Sequence, residues 1–98
     1  MWCGGLTTCI KIAHAAEASG KKVILHAGGR YPFGHHFSIA MPAVPWLEYF
    51  MEAPPGVSLE DSINIPGQAV AKDGYLIPSN TPGFGLEIEE SWLQPFFA

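Results

Sequence analysis

The first half of this 98-residue chain switches between two hydrophobic periods. From Leu6 to about Ser19 the apolar positions recur at helical spacing: Leu6, Ile10 and Ala13 form one stripe, with Cys9, Ile12 and Ala16 beside it. Thr7 or Thr8 is placed to cap that helix and Gly20 to close it, and Lys21 and Lys22 follow where a helix carboxyl end favours cations. The pattern then loses its helical spacing. Val23, Ile24 and Leu25 form an unbroken apolar run that ends in His26 and breaks at Ala27-Gly28-Gly29, which suits a strand covered on both faces. After a loop containing Gly28, Gly29, Pro32 and Gly34, a second helix is expected from His35 to Met41, stopped by Pro42 and Pro45. A second apolar run, Trp46-Leu47-Glu48-Tyr49-Phe50-Met51, predicts another strand. The order helix, strand, helix, strand with short connections predicts an α/β protein with a parallel sheet or a (β/α) barrel.

From Pro54 the character changes. Val57 to Pro66 sustains no period. Gln68 to Lys72 faces Tyr75 to Pro78 across Asp73-Gly74, a two-residue hairpin signal. A turn-rich loop, Thr81-Pro82-Gly83-Phe84-Gly85, precedes a short terminal helix expected over Glu87 to Leu93, with acids in its first turn. Phe84, Trp92, Phe96 and Phe97 are aromatics in search of packing partners. The chain thus divides into residues 1–53, built of helix and strand units, and an irregular tail, residues 54–98, with one hairpin.

Composition narrows the functional classes. The content is 48% hydrophobic and 14% charged, low in charge for a small free-standing domain, and the chain starts on Met1-Trp2-Cys3 with no polar lead-in. Much of its apolar surface is therefore expected to meet a partner, either further chain or another subunit in a homo-oligomer. Five Lys and Arg against nine Asp and Glu give a net charge of -4, with no basic cluster longer than Lys21-Lys22, which argues against nucleic acid as a partner. No apolar stretch reaches the roughly 20 residues that cross a bilayer, and no basic segment precedes a secretory-type run, so no membrane partner is expected and the location expected is cytoplasmic. Cys3 and Cys9, six apart, match neither a disulfide scaffold nor a CxxC motif; Cys9 reads as a core thiol on a helix and Cys3 as a loop or strand residue.

The chemistry concentrates at two positions. His26 closes the first apolar run, and in parallel-strand barrels the carboxyl ends of strands are where catalytic residues project. Glu48 lies inside the second run, where an unpaired carboxylate is costly to bury and so asks for a partner or a proton. On residue pattern alone, His26 also fits a satisfied structural histidine and Glu48 an edge carboxylate meeting solvent. His35 and His36 are adjacent and point about 100° apart on a helix, so they do not readily share one metal ion; His36 reads as pocket wall, His35 as solvated, and mid-helix His14 as a surface residue. Arg30 and Tyr31 follow the glycine-rich loop and are candidates for contacting a substrate.

Several elements in order resemble the enolase superfamily, in its mandelate racemase and muconate lactonising branch. They are Gly4-Gly5-Leu6-Thr7 leading into Lys11-Ile12-Ala13, the strand ending in His26, Trp46-Leu47-Glu48, Asp73-Gly74, and Pro82-Gly83-Phe84-Gly85-Leu86. The His-Ala-Gly-Gly loop, His36-Phe37 and Glu48-Tyr49-Phe50 are most similar to the rhamnonate dehydratase group of acid-sugar dehydratases. The resemblance implies the carboxyl-terminal slice of a modified (β/α)7β barrel plus a tail that packs on a capping domain. Leu6 to Ser19 then corresponds to the sixth barrel helix, Val23 to His26 to the seventh strand, and Trp46 to Tyr49 to the last.

The same resemblance implies His26 as the base that removes a proton beside a sugar-acid carboxylate, and Glu48 as a proton-bearing acid facing the enediolate. His36, Arg30 and Tyr31 become substrate-contacting candidates. It further implies Mg2+ in a longer parent enzyme, with the metal ligands and a histidine-orienting aspartate upstream of Met1, so that this chain is expected to hold no metal and to be inactive alone. The residue types suit that chemistry. An imidazole's unperturbed pKa of about 6.5 lets a histidine accept and donate near neutrality, and Lys or His bases acting beside magnesium are the known pattern of this superfamily. The alternatives are a racemase or epimerase of the same superfamily, a non-catalytic remnant or interaction module, and a small metal-binding protein using His26, His35, His36 and Cys3.

Overall fold

The computed structural model describes residues 2–63 and 65–95. Helix α1 (Gly5–Ala18) realises the first helical period, but its start differs from the expected threonine cap. Gly4 is the N-cap residue, and Thr8 Oγ1 donates back to the Gly4 carbonyl at 3.2 Å. The carboxyl end follows the sequence: Gly20 N–H donates to Glu17 O and Lys21 N–H to Ala16 O, the paired bonds of a Schellman motif. The buried face of α1 is carried by Cys9 and Ala13, one turn apart, while Leu6 and Ile12 stay 42% and 43% exposed. The stripe is therefore narrower than the full set of apolar positions.

Helix α2 (Pro32–Ala40) begins three residues before the expected His35. Pro32 takes the first helical position, where its missing N–H costs nothing and its fixed φ suits a helix. The helix ends before Met41, which is extended at φ -111° and ψ 109° because the following Pro42 disfavours the helical region there. Phe37 of α2 packs with Cys9, Ala13 and Val44, and Ile10, Val23, Leu25 and Met41 border that cluster.

The two apolar runs lie side by side and parallel without forming the expected strand ladder. Val23 N–H donates to Ala43 O at 2.8 Å at one end, and Gly29 N–H donates to Glu48 O at 2.9 Å at the other. Between these points Ile24 is 56% exposed and Trp46 72% exposed. A parallel ladder needs a continuous series of backbone hydrogen bonds, and among the described residues these two bonds alone join the segments.

In the tail, the Asp73-Gly74 signal is borne out. Strands β1 (Ala71–Lys72) and β2 (Tyr75–Leu76) pair antiparallel, Ala71 opposite Leu76 and Lys72 opposite Tyr75. Positive φ at both turn residues, 51° and 81°, gives the hairpin the twist that matches its strands. The helix expected over Glu87 to Leu93 is reduced to a single 3-10 turn, Glu90–Trp92. Trp92 is 46% exposed there, so no packed face holds a longer helix in place. Phe96 and Phe97 lie outside the described residues.

The radius of gyration is 15.2 Å, against about 13 Å for a compact domain of this length. The accessible surface is 7358 Å2, where a free-standing monomer of the same mass exposes about 5,500 Å2. Part of this surface is apolar, with Trp2, Ile39, Trp46, Met51 and Ile77 each more than 70% exposed.

Candidate active site

The turn after the first apolar run places His26 and Glu48 together. His26 Nδ1 lies 2.8 Å from Glu48 Oε2, and the same oxygen accepts the Ala27 N–H. Ala27 is held at φ 54°, a left-handed conformation uncommon for a residue with a Cβ, and its N–H thereby turns toward the carboxylate. The Glu48 backbone carbonyl accepts from Gly29 N–H, so both the side chain and the main chain of Glu48 bind the loop that carries His26. The His26 side chain is 84% exposed, and the Phe50 ring meets the imidazole edge to face at 5.5 Å. With Nδ1 directed at a carboxylate, the imidazole is held in one orientation and its opposite edge is left to solvent or a ligand.

The loop has a second anchor. His35 is 1% exposed, and its Nε2 lies 2.6 Å from the Gly29 carbonyl. Burial pushes the His35 imidazole below its ordinary value of 6.5; the bond to Gly29 opposes that shift and His36 adds to it. A neutral His35 donates from Nε2 to the carbonyl. The expectation that His35 is solvated is therefore overturned. With Pro32 at the first helical position, His35 falls in the first turn of α2, facing back onto Gly29. Gly34 permits this approach, since a Cβ on it would run into the backbone of Gly28. The sequence signal for this arrangement is Pro32, two residues ahead of Gly34-His35.

The other candidates are distributed around two cavities. His26, Ala27, Tyr31 and Phe33 line one of about 410 Å3. Arg30, Tyr31, Tyr49, Phe50 and Gln68 line a second of about 470 Å3. Tyr31 belongs to both and stacks on Phe33 at 5.3 Å. Arg30 is paired with Glu52, and its backbone carbonyl accepts from Gln68 Nε2 at 2.8 Å, which ties the tail to the loop. His36 lines neither of these cavities. It packs edge to face on Phe84 at 5.5 Å, and its Nε2 is shielded from solvent with no hydrogen-bond partner among the described residues.

Among the described residues no group of three His, Cys, Asp or Glu side chains converges so as to hold a metal ion. His26 is exposed, His35 is buried on Gly29 and His36 faces Phe84, so the three histidines do not share a site. The donor set of the described residues therefore does not fit magnesium by itself. Also among the described residues, no helix is long and apolar enough to cross a membrane.

Comparison with known proteins gives this arrangement a family. The family model described as enolase C-terminal domain-like matches residues 1–92. A protein of Caldivirga maquilingensis named "Putative L-rhamnonate dehydratase" is 35% identical across 97% of this chain and 24% of its own length. The chain thus spans about a quarter of the length of the curated relative it matches. No solved structure matches the chain. An α/β chain that ends an apolar run in His26 and matches this family model along nearly its whole length belongs to the enolase C-terminal domain-like family of the enolase superfamily.

Proposed function

We propose that this chain forms the last helix and strand units of a (β/α)7β barrel in a sugar-acid dehydratase, with His26 as the base. The observation that carries this reading is the contact between His26 Nδ1 and Glu48 Oε2 at the end of two parallel apolar runs. Residues 1–53 supply the barrel units, and residues 54–98 form the segment that packs on a capping domain. The uncovered Ile24 and Trp46 are then surfaces that neighbouring barrel elements close. Mg2+ would be bound by carboxylates outside this chain and would stabilise the enediolate.

His26 takes the proton from the carbon beside the substrate carboxylate, and the bonding pair moves into the carboxyl group to give an enediolate. The pair then returns to expel the neighbouring hydroxyl, which leaves as water with the proton that His26 carried. The resulting enol becomes a 2-keto-3-deoxy acid. Glu48 Oε2 holds Nδ1, which reserves Nε2 for proton transfer. If Glu48 is protonated on Oε1 it can still accept through Oε2 while donating to the enediolate, which joins the role expected from sequence to the contact in the structure. Arg30 and Tyr31, on the loop beside the two cavities, contact the hydroxyls of the sugar acid in this reading, while His36 joins α2 to the tail through Phe84.

The test is a chimera in which these 98 residues replace the matching quarter of the Caldivirga maquilingensis protein, assayed with magnesium on five- and six-carbon sugar acids, L-rhamnonate among them. Formation of a 2-keto-3-deoxy acid is expected from the chimera and not from the 98-residue chain alone, which lacks a metal-binding donor set among its described residues. Turnover by the isolated chain would sink the division of the site proposed here. Light scattering on the isolated chain is expected to show self-association at micromolar concentration, because the apolar faces remain open.

A further inference from the structure

Cys3 and Cys9 are in contact, Sγ to Sγ 3.3 Å. A helix alone does not bring this about, since neighbours on a helix surface are three or four residues apart and these are six. The contact depends on the turn before α1. Gly4 at φ 114° and Gly5 at φ 80° fold the chain back over the first turn of the helix, in a conformation that residues with a Cβ rarely adopt. A Cβ at Gly4 would lie 2.8 Å from Thr8 Oγ1, the hydroxyl that holds the Gly4 carbonyl. Packing accounts for Cys9, which is 3% exposed, but not for Cys3, which is exposed. Both cysteines line the 410 Å3 cavity that His26 also lines.

We propose that Cys3 and Cys9 form a redox-active dithiol that hydrogen peroxide converts into an intramolecular disulfide. The unequal exposure of the two thiols assigns their roles. Cys3, open to solvent, attacks the peroxide oxygen; the O–O bond breaks, and Cys3 becomes a sulfenic acid as the first water leaves. Cys9 then attacks the Cys3 sulfur, the S–OH bond breaks, and the hydroxyl departs with the Cys9 proton as a second water. Two thiols are oxidised and one peroxide is reduced to two waters. Burial, together with the neighbouring Cys3, pushes the Cys9 thiol up, which disfavours it as the group that meets the peroxide first. The sulfurs need to approach by a further ~1.2 Å to bond, a movement confined to the turn at Gly4 and Gly5. The disulfide fixes Trp2 and Cys3 against α1, and so stiffens one wall of the His26 cavity. This site does not depend on the dehydratase reading.

Treatment of the full chain with a small excess of hydrogen peroxide, followed by intact mass and non-reducing peptide mapping, tests the proposal. The expected result is loss of two hydrogens in the monomer, a Cys3–Cys9 cross-linked peptide, and reversal by dithiothreitol. In Cys9→Ser, a cyclic 1,3-diketone should trap a sulfenic acid on Cys3; in Cys3→Ser, Cys9 should react about tenfold more slowly. Repetition in guanidinium should slow cross-linking by about tenfold, because the fold rather than sequence proximity aligns the sulfurs. Cross-linking only between chains, equal rates in buffer and guanidinium, or faster trapping at Cys9 than at Cys3 would each overturn it.

Discussion

Residues 2–53 and residues 54–95 differ in what holds them. The first region contains every buried side chain among the described residues: Cys9, Ala13, His35, Phe37, Ala43 and Val44. Among the described residues of the second only Gly85, which has no side chain, is buried. The first region is ordered by a polar clamp as much as by its small apolar cluster. Gly29 donates to Glu48 and accepts from His35, while Glu48 also binds Ala27 and His26. The tail has a correct local turn at Asp73-Gly74 but little to pack beneath it. Local turn chemistry shapes a hairpin without a core, whereas the loop that carries His26 needs partners that lie far apart in sequence.

Disrupting the clamp should erase much of this difference. Gly34→Ala is expected to have the largest effect, because its Cβ collides with the Gly28 backbone rather than with a movable side chain. A loss of about 1–3 kcal/mol, the usual cost of overpacking, should appear as early hydrogen exchange at Gly28 and Gly29. Unchanged protection there would mean that α2 does not press on the loop.

His35→Gln is expected to cost about 1–3 kcal/mol if its amide does not reach the Gly29 carbonyl, leaving that carbonyl unpaired. The pH dependence isolates the imidazole's part. Because the imidazole of His35 lies below 6.5 in the fold, the unfolded chain binds the proton more readily. His35 therefore contributes its full stability above about pH 6.5 and loses it as pH falls toward the lowered folded value. Thermal unfolding followed from about pH 7.5 to about pH 5 should show an acid-side decline that is weaker in His35→Gln. An identical decline in both proteins would rule out His35 as its source. At the small end, Trp92→Ala in the tail should change stability by no more than about 0.5 kcal/mol in the isolated chain, since that side chain is 46% exposed. A larger loss would show that the tail has a core of its own.

Legibility in sequence follows the same divide. Both helices, the Gly20 stop and the Asp73-Gly74 hairpin depend on short-range signals and are readable from them. His26 and Glu48 stand out as a pair because one closes an apolar run and the other interrupts one, but their direct contact depends on the left-handed turn at Ala27, for which alanine is no signal. The burial of His35 escapes the hydrophobic pattern because it follows from the start of α2 at Pro32, and a shift of three residues rotates a helix by most of a turn. The apolar runs promise more strand than the fold delivers: their composition asks for two covered faces, and the neighbours that would complete a ladder are not among the described residues.

With His26 as the base and Glu48 as its positioning partner and acid, both side chains should control one observable step. That step is exchange of the substrate's α-proton with deuterated solvent in the magnesium-loaded chimera, measured separately from water loss. His26→Asn should lower exchange by about 10²–10⁴-fold or more with magnesium affinity unchanged, and Glu48→Gln by about 10²–10³-fold. Exchange at the wild-type rate in His26→Asn would refute the assignment, because another residue would then be taking the proton.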